Sequence, residues 1–146
     1  MHDNIKKRIN IAAKRQPADL VIKNCKIVNV FTHEIIEGDI AISDEKIAAV
    51  GNYSGEKEVD AEGRYALPGF INSHIHIESS FVSPEEFSRL VVPHGTTTII
   101  ADPHEIVNVC GMDGFDYMVK AGKNAALDIK YMIPSCVPCT PWEHAG

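Results

Sequence analysis

No apolar run in the 146-residue sequence approaches the roughly 20 residues that a bilayer span requires. The opening stretch, MHDNIKKRINIAAKR, is basic but has no continuous apolar segment of the kind a secretory signal needs, so a cytoplasmic protein is expected. Positive charge is also in short supply. Lys and Arg number 14 against 20 Asp and Glu, giving a formal net charge of -6 and a sequence pI near 5.6. That balance argues against a nucleic-acid backbone or an anionic membrane as the main partner and leaves small molecules or proteins. The cysteines do not form a disulfide framework: Cys25 and Cys110 stand alone, and only Cys136 and Cys139 lie close, as CVPC. No second C-x-x-C completes a four-sulfur zinc site, and Pro138 stands where a thioredoxin-like motif enters its helix, so free thiols in a reducing compartment are the expected state.

The sequence does contain enough apolar residues, 45%, for a compact core, with 23% charged. Ile5, Ile9 and Ala12 or Ala13 recur at helical spacing and predict a short amphipathic helix that ends before Pro17. LVIKNCKIVNV, GDIAISDEKIAAVG and RYALPGF then predict a small β-meander from about Leu20 to Ala66. Within it DIAIS-DEK-IAAV reads as a hairpin that sets Ile40 and Ile42 against Ile47 and Ala49.

The rhythm changes after Pro68. GFINSHIHIE reads as a strand, and SPEEFSRLVVPHG as a helix with Ser83 as N-cap, Pro84 at its first position and Glu86 closing a capping box. TTTIIAD is a strand bounded by Gly95 and Pro103. MDGFDYMVKAGKNA predicts a second helix with Phe115, Met118 and Val119 on one side, and DIKYMIPSCVP a third strand. Strand and helix in alternation define an α/β fold with a parallel sheet and right-handed crossovers. The expected organisation is therefore residues 1–66 as N-terminal helix and β segment, and residues 67–146 as the first βα units. A (β/α)8 barrel takes roughly 250 residues. The chain is therefore expected to be a truncated piece of a larger protein, with a complete small α/β domain as the alternative.

The chemistry concentrates in INSHIHIESS, Ile71 to Ser80. On a strand, side chains alternate, so Asn72, His74, His76 and Glu78 are expected on one face and Ile71, Ile75 and Ile77 on the other. Two imidazoles at i and i+2 are close enough to hold one metal ion. The next strand ends in ADPHE, which brings Asp102, His104 and Glu105 to the same mouth, either as parts of a site or, for Asp102 and Glu105, as caps of the following helix. Catalytic metals commonly need three or more protein ligands, so the pair His74 and His76 does not complete a site alone.

PGFINSHIHIESS, VVPHGTTTIIADPHEIVNVCG and MIPSCVPCTPWE together resemble the N-terminal part of the adenine deaminases of the amidohydrolase superfamily. The resemblance covers essentially the whole chain. It implies a β-sandwich subdomain followed by a (β/α)8 barrel with divalent metal ions, a binuclear centre of Mn, Fe or Zn. It makes His74 and His76 metal ligands on the first barrel strand and places Glu78, His104 and Glu105 at catalytic motif positions around the active site. It implies hydrolytic deamination of adenine to hypoxanthine and ammonia, in purine salvage, by a homo-oligomer with a small-molecule purine substrate, nucleic acid and membrane having no part. The N-terminal segment alone is expected to be inactive. Two other readings compete: a cyclic-amide hydrolase of dihydroorotase or hydantoinase type, and a non-catalytic split or remnant subunit. Asn72, Ser73 and Cys139 depart from the pattern common in the resembled family, and the change at Asn72 bears on hydrogen bonding behind His74.

Overall fold

The computed structural model describes residues 2–135 and 137. The chain divides into two compact units, residues 1–68 and 69–146. In the first, helix α1 (His2–Ala12) precedes strands β1 (Ala18–Asn29), β2 (Glu34–Ser43), β3 (Lys46–Gly51), β4 (Gly55–Asp60) and the short β5 (Tyr65–Ala66). The sheet order is β3-β2-β1-β4, with β5 also paired to β1. Only β1, β2 and β3 form an antiparallel meander; β4 and β5 run parallel to β1 along its other edge. The expected meander is corrected there. The sequence of β4, GEKEVD, is polar and mostly exposed, so it carries no alternation from which its pairing can be read.

The β2–β3 hairpin turns through Asp44 and Glu45, both in the left-handed region (φ 50° and 60°), as a two-residue primed turn requires. Ile42 pairs with Ile47 as expected, but a bulge follows, so Ala41 meets Ala49 and Ile40 meets Val50. Helix α1 also presents a different face from the one its periodicity suggests. Ile11 is fully buried against Ala18, Val21 and Ala41, whereas Ile5 and Ile9 are exposed. Lys7, one turn before Ile11, donates to the Asp19 carboxylate at 2.9 Å, and this contact turns the Ile11 side of the helix to the sheet.

The second unit holds β6 (Phe70–Ile75), α2 (Pro84–Val91), β7 (Thr96–Ala101), α3 (His104–Gly122) and β8 (Asp128–Tyr131). The three strands are parallel and lie in the order β6-β7-β8, which makes this an α/β sheet built from consecutive βα units. Ser83 caps α2 by accepting from the Glu86 amide at 3.4 Å, with Pro84 at the first position. The Glu86 carboxylate binds Arg89 at 2.8 Å instead of turning back to close a capping box. Gly95, at φ 94°, ends the short 3-10 turn Val92–His94 and releases the chain into β7.

The core consists of Ile77, Phe87, Ile99, Ala101, Met118 and Leu127. Phe115 and Val119 are half-buried beside Met118. Helix α3 begins at His104, eight residues before the predicted start at Met112, and breaks at Gly111 (φ 59°, ψ -146°). The β-branched run IVNV hid its first half. Gly111 adopts a backbone conformation that other residues rarely take, which separates the two segments. The predicted reach of DIKYMIPSCVP shortens to four residues, and Cys136 and Cys139 lie outside the described residues. Cys25 and Cys110 are free, the first buried and the second exposed. Among the described residues no helix is long and apolar enough to cross a membrane.

Candidate metal centre

The site lies where β6 and β7 end side by side. Ile75 pairs with Ala101, and the Asp102 amide donates to the Ile75 carbonyl at 2.9 Å, so the residues just past each strand are held together by backbone. His74 and His76 point to the same side, as strand alternation requires, with their Nε2 atoms 3.2 Å apart. The His76 Nδ1 lies 2.7 Å from the Asp102 carbonyl oxygen. A carbonyl only accepts, so His76 donates through Nδ1–H and keeps a bare lone pair on Nε2.

The Asp102 carboxylate completes a group. One ligand atom from each of His74, His76 and Asp102 lies within 4.8 Å of the others. Asp102 Oδ1 is buried with no hydrogen-bond partner among the described residues, and Oδ2 is 3.6 Å from His104 Nδ1. Two nitrogen ligands at about 2.0–2.1 Å from one tetrahedral ion are about 3.3 Å apart, close to the 3.2 Å between the two Nε2 atoms. Two imidazole nitrogens facing each other, the His76 one a bare acceptor, and a buried carboxylate oxygen with no hydrogen-bond partner among the described residues fit a divalent cation.

Around this group stand the other residues singled out in the sequence. The His104 ring meets the His76 ring edge-on, with centroids 4.5 Å apart. Glu105 accepts from the Ser79 hydroxyl through both carboxylate oxygens, at 2.8 and 2.9 Å. Glu78 does not continue the histidine face, because the strand stops at Ile75 and the chain turns into a 3-10 turn, Glu78–Ser80. Its Oε1 accepts from the Ile106 amide at 3.5 Å, in the first turn of α3, and its Oε2 is buried without a partner among the described residues. The opposite face is corrected too: Ile77 is fully buried and Ile75 packs on the core, but Ile71 is exposed. The Asn72 side-chain oxygen accepts from the His74 amide at 3.2 Å.

Neither Asp102 nor Glu105 caps α3 through its side chain; the N-cap is Pro103, without a side-chain hydrogen bond. Sequence reasoning brought Asp102 to the same mouth as the histidines, as part of the site or as a helix cap, and the structure sets its carboxylate with the two imidazoles. The signal available was its position, the first residue after a strand whose end is in register with the H-x-H strand. Tyr131, in register with Ala101 on β8, donates its hydroxyl to the Met118 carbonyl at 2.7 Å. Burial, then the charges of Glu85 and Glu78, push its pKa up to about 12.

Residues 65–143 match the Amidohydrolase family, and the chain belongs to it. Over 142 residues, 97% of its length, the chain is 66% identical to a protein named adenine deaminase 2 from Desulfotalea psychrophila. It spans about a quarter of the length of the curated relatives it matches. Among solved structures, the D-hydantoinase (dihydropyrimidinase) from Thermus sp. superposes with a TM-score of 0.60 at 23% identity, covering 82% of this chain and 29% of that one, a likeness of fold. The N-acyl-D-glutamate deacylase from Bordetella bronchiseptica, solved with zinc and a phosphonate inhibitor, superposes at 0.50 with 27% identity over 66% of this chain and 19% of that one.

Proposed function

We propose that this chain is the N-terminal portion of an adenine deaminase, which hydrolyses adenine to hypoxanthine and ammonia in purine salvage. The convergence of His74, His76 and Asp102 at the strand ends carries the reading, together with the 66% identity to a protein of that name. On this reading β6, β7 and β8 are the first strands of a (β/α)8 barrel, and residues 1–66 contribute to a small β-sandwich. The zinc in the deacylase relative supports a divalent metal here. Its identity as Mn, Fe or Zn, and a binuclear arrangement, belong to the proposal. So do a purine as the small-molecule partner, a homo-oligomeric complete enzyme and a cytoplasmic location.

His74, His76 and Asp102 would hold the ion. A divalent cation, when bound, supplies a water acidic enough to act as a nucleophile near neutral pH. The protein's own part is orientation. The Asp102 carbonyl fixes the His76 tautomer, and the His104 ring limits how far the His76 imidazole can turn. Glu78, His104 and Glu105 are the groups at the rim able to hold or pass a proton toward a departing amine.

The test is a chimera. Joining this chain to the remaining three quarters of the D. psychrophila relative should yield an enzyme that releases ammonia from adenine, and His74→Ala should abolish the release. The 146-residue chain alone should release none. An inactive chimera that nonetheless folds and holds metal would refute the deaminase reading.

A further inference from the structure

Where α1 hands over to β1, the first unit has a cavity of about 550 Å3. Three cations line it, Lys14, Arg15 and Lys23, against one carboxylate, Glu58. The chain as a whole carries a net charge of -6, so this is a positive spot on an acidic protein. It lies in the other unit from the metal-centre residues and takes no part in the chemistry derived above.

Three observations describe what would fit. First, the cations are not there to serve the helix. Lys and Arg just past a helix C-terminus ordinarily face its last carbonyls. Here the carbonyls of Ile9, Asn10 and Ile11 accept from the amides of Ala13, Arg15 and Lys14 at 2.9, 2.8 and 2.8 Å, and the Ala12 carbonyl accepts from the Tyr53 hydroxyl at 3.1 Å. Second, among the described residues neither Lys14 nor Arg15 pairs with a carboxylate. The Lys14 ammonium sits 5.2 Å from the centroid of the Tyr53 ring, and Arg15 Nη1 reaches the Asn10 side-chain oxygen at a long 3.5 Å. Lys23 uses two of its three N–H donors on Asp39 and on the Tyr53 carbonyl, at 2.6 and 2.8 Å, and has a third to give. Third, Lys14 stands in the left-handed region, with φ 57°, at the position after a helix that glycine usually fills. Strain of that kind, spent on holding an ammonium at a cavity, points to a functional demand.

A phosphate group matches this set, because it accepts from several directions and is bound by lysine and arginine through charge-assisted hydrogen bonds. The cavity falls within the range of about 300–1,000 Å3 typical of small-molecule sites, far more than a free phosphate ion fills. Gln16, Asn52 and Ser54 line the rest of it with amide and hydroxyl groups.

We propose that this cavity binds a small phosphomonoester, its phosphate held by Lys14, Arg15 and Lys23 and its polar body set against Gln16, Asn52 and Ser54. The site goes beyond the deaminase reading and stands without it, since every residue in it belongs to the first unit.

The experiment is an amide NMR titration of the 146-residue chain with ribose phosphate and, separately, with inorganic phosphate, repeated on Lys14→Gly, Arg15→Gln and Glu58→Gln. Lys14→Gly keeps the fold, because glycine suits the left-handed conformation. Glu58→Gln keeps an acceptor for the Gly55 amide, which Glu58 meets at 3.1 Å. The expected result is saturable shifts at the Arg15, Gln16, Asn52 and Ser54 amides, with a dissociation constant on the order of a millimolar for ribose phosphate. Inorganic phosphate should bind more weakly, and added salt should weaken both. Lys14→Gly and Arg15→Gln should each weaken binding about fivefold or more, and Glu58→Gln should tighten it about twofold. Absence of saturable shifts at these amides, or affinity unchanged in both Lys14→Gly and Arg15→Gln, overturns the site. Ribose phosphate binding no tighter than inorganic phosphate overturns the monoester assignment.

Discussion

The two units treat their polar side chains in opposite ways. In the first, Lys23 donates to Asp39 at 2.6 Å and to the Tyr53 carbonyl at 2.8 Å, while Asp39 also accepts from the amides of Asn24 and Tyr53. Asp19 serves Lys7, Ser43 and the Asp44 amide in the same manner. These carboxylates are closed into networks and hold the sheet, the bulge and α1 together. In the second unit, oxygens of Asp102 and Glu78 are buried with no partner among the described residues, and two imidazole nitrogens face each other 3.2 Å apart. A polar cluster that has satisfied itself is structural; one that is left open converges on something else.

That contrast breaks most sharply under substitution. His74→Ala should lower zinc affinity by at least about a hundredfold, since it removes one of three converging donors. Urea unfolding of the metal-free chain should move by less than about 0.5 kcal/mol, because the His74 side chain is exposed. Asp39→Ala should behave in reverse. It strands the amides of Asn24 and Tyr53 and the Lys23 ammonium, destabilising the first unit by about 2–3 kcal/mol, with zinc affinity unchanged.

Smaller effects sharpen the same comparison. Burial tends to raise the pKa of Asp39, but the Lys23 ammonium and the Tyr53 and Asn24 amides outweigh it and hold the carboxyl below its ordinary 3.8. A lowered folded-state pKa gives stability that is present above the unfolded value and is lost as pH falls through the folded one. Acid unfolding should therefore begin below about pH 4, and Asp39→Asn should flatten that limb of the pH–stability curve. Tyr131 gives the alkaline counterpart in the second unit. Its raised pKa means that the buried neutral phenol stabilises fully below pH 10, and that this contribution disappears as pH rises toward about 12. Absorbance titration at 295 nm should show one tyrosine ionising near 12, and Tyr131→Phe should remove that step.

Much of the second unit was legible because its signals are local. Ser83-Pro84 marks a helix start, Gly95 a stop, and His74 with His76 needs only strand alternation to converge. What escaped depended on contacts distant in sequence. The parallel return of β4 rests on the free edge of β1, which no feature of GEKEVD announces. The orientation of α1 follows from Lys7 meeting Asp19 rather than from Ile5 and Ile9. The early start of α3 was masked by β-branched residues whose weak helix preference is overridden by packing. The sequence brought Asp102 to the histidines' mouth, but its choice as a donor over a helix cap needed the register of Ile75 with Ala101.

The central claim, that the open cluster is prepared for a cation, has one direct measurement: the tautomeric state of His76 in the metal-free chain, from long-range 1H–15N spectra of the imidazoles, followed by addition of zinc. The account predicts a proton on Nδ1, held by the Asp102 carbonyl, and a bare Nε2 whose resonance shifts together with that of His74 as one equivalent of zinc is added. A proton on Nε2 of His76, or zinc binding that leaves both histidines unshifted, would contradict it.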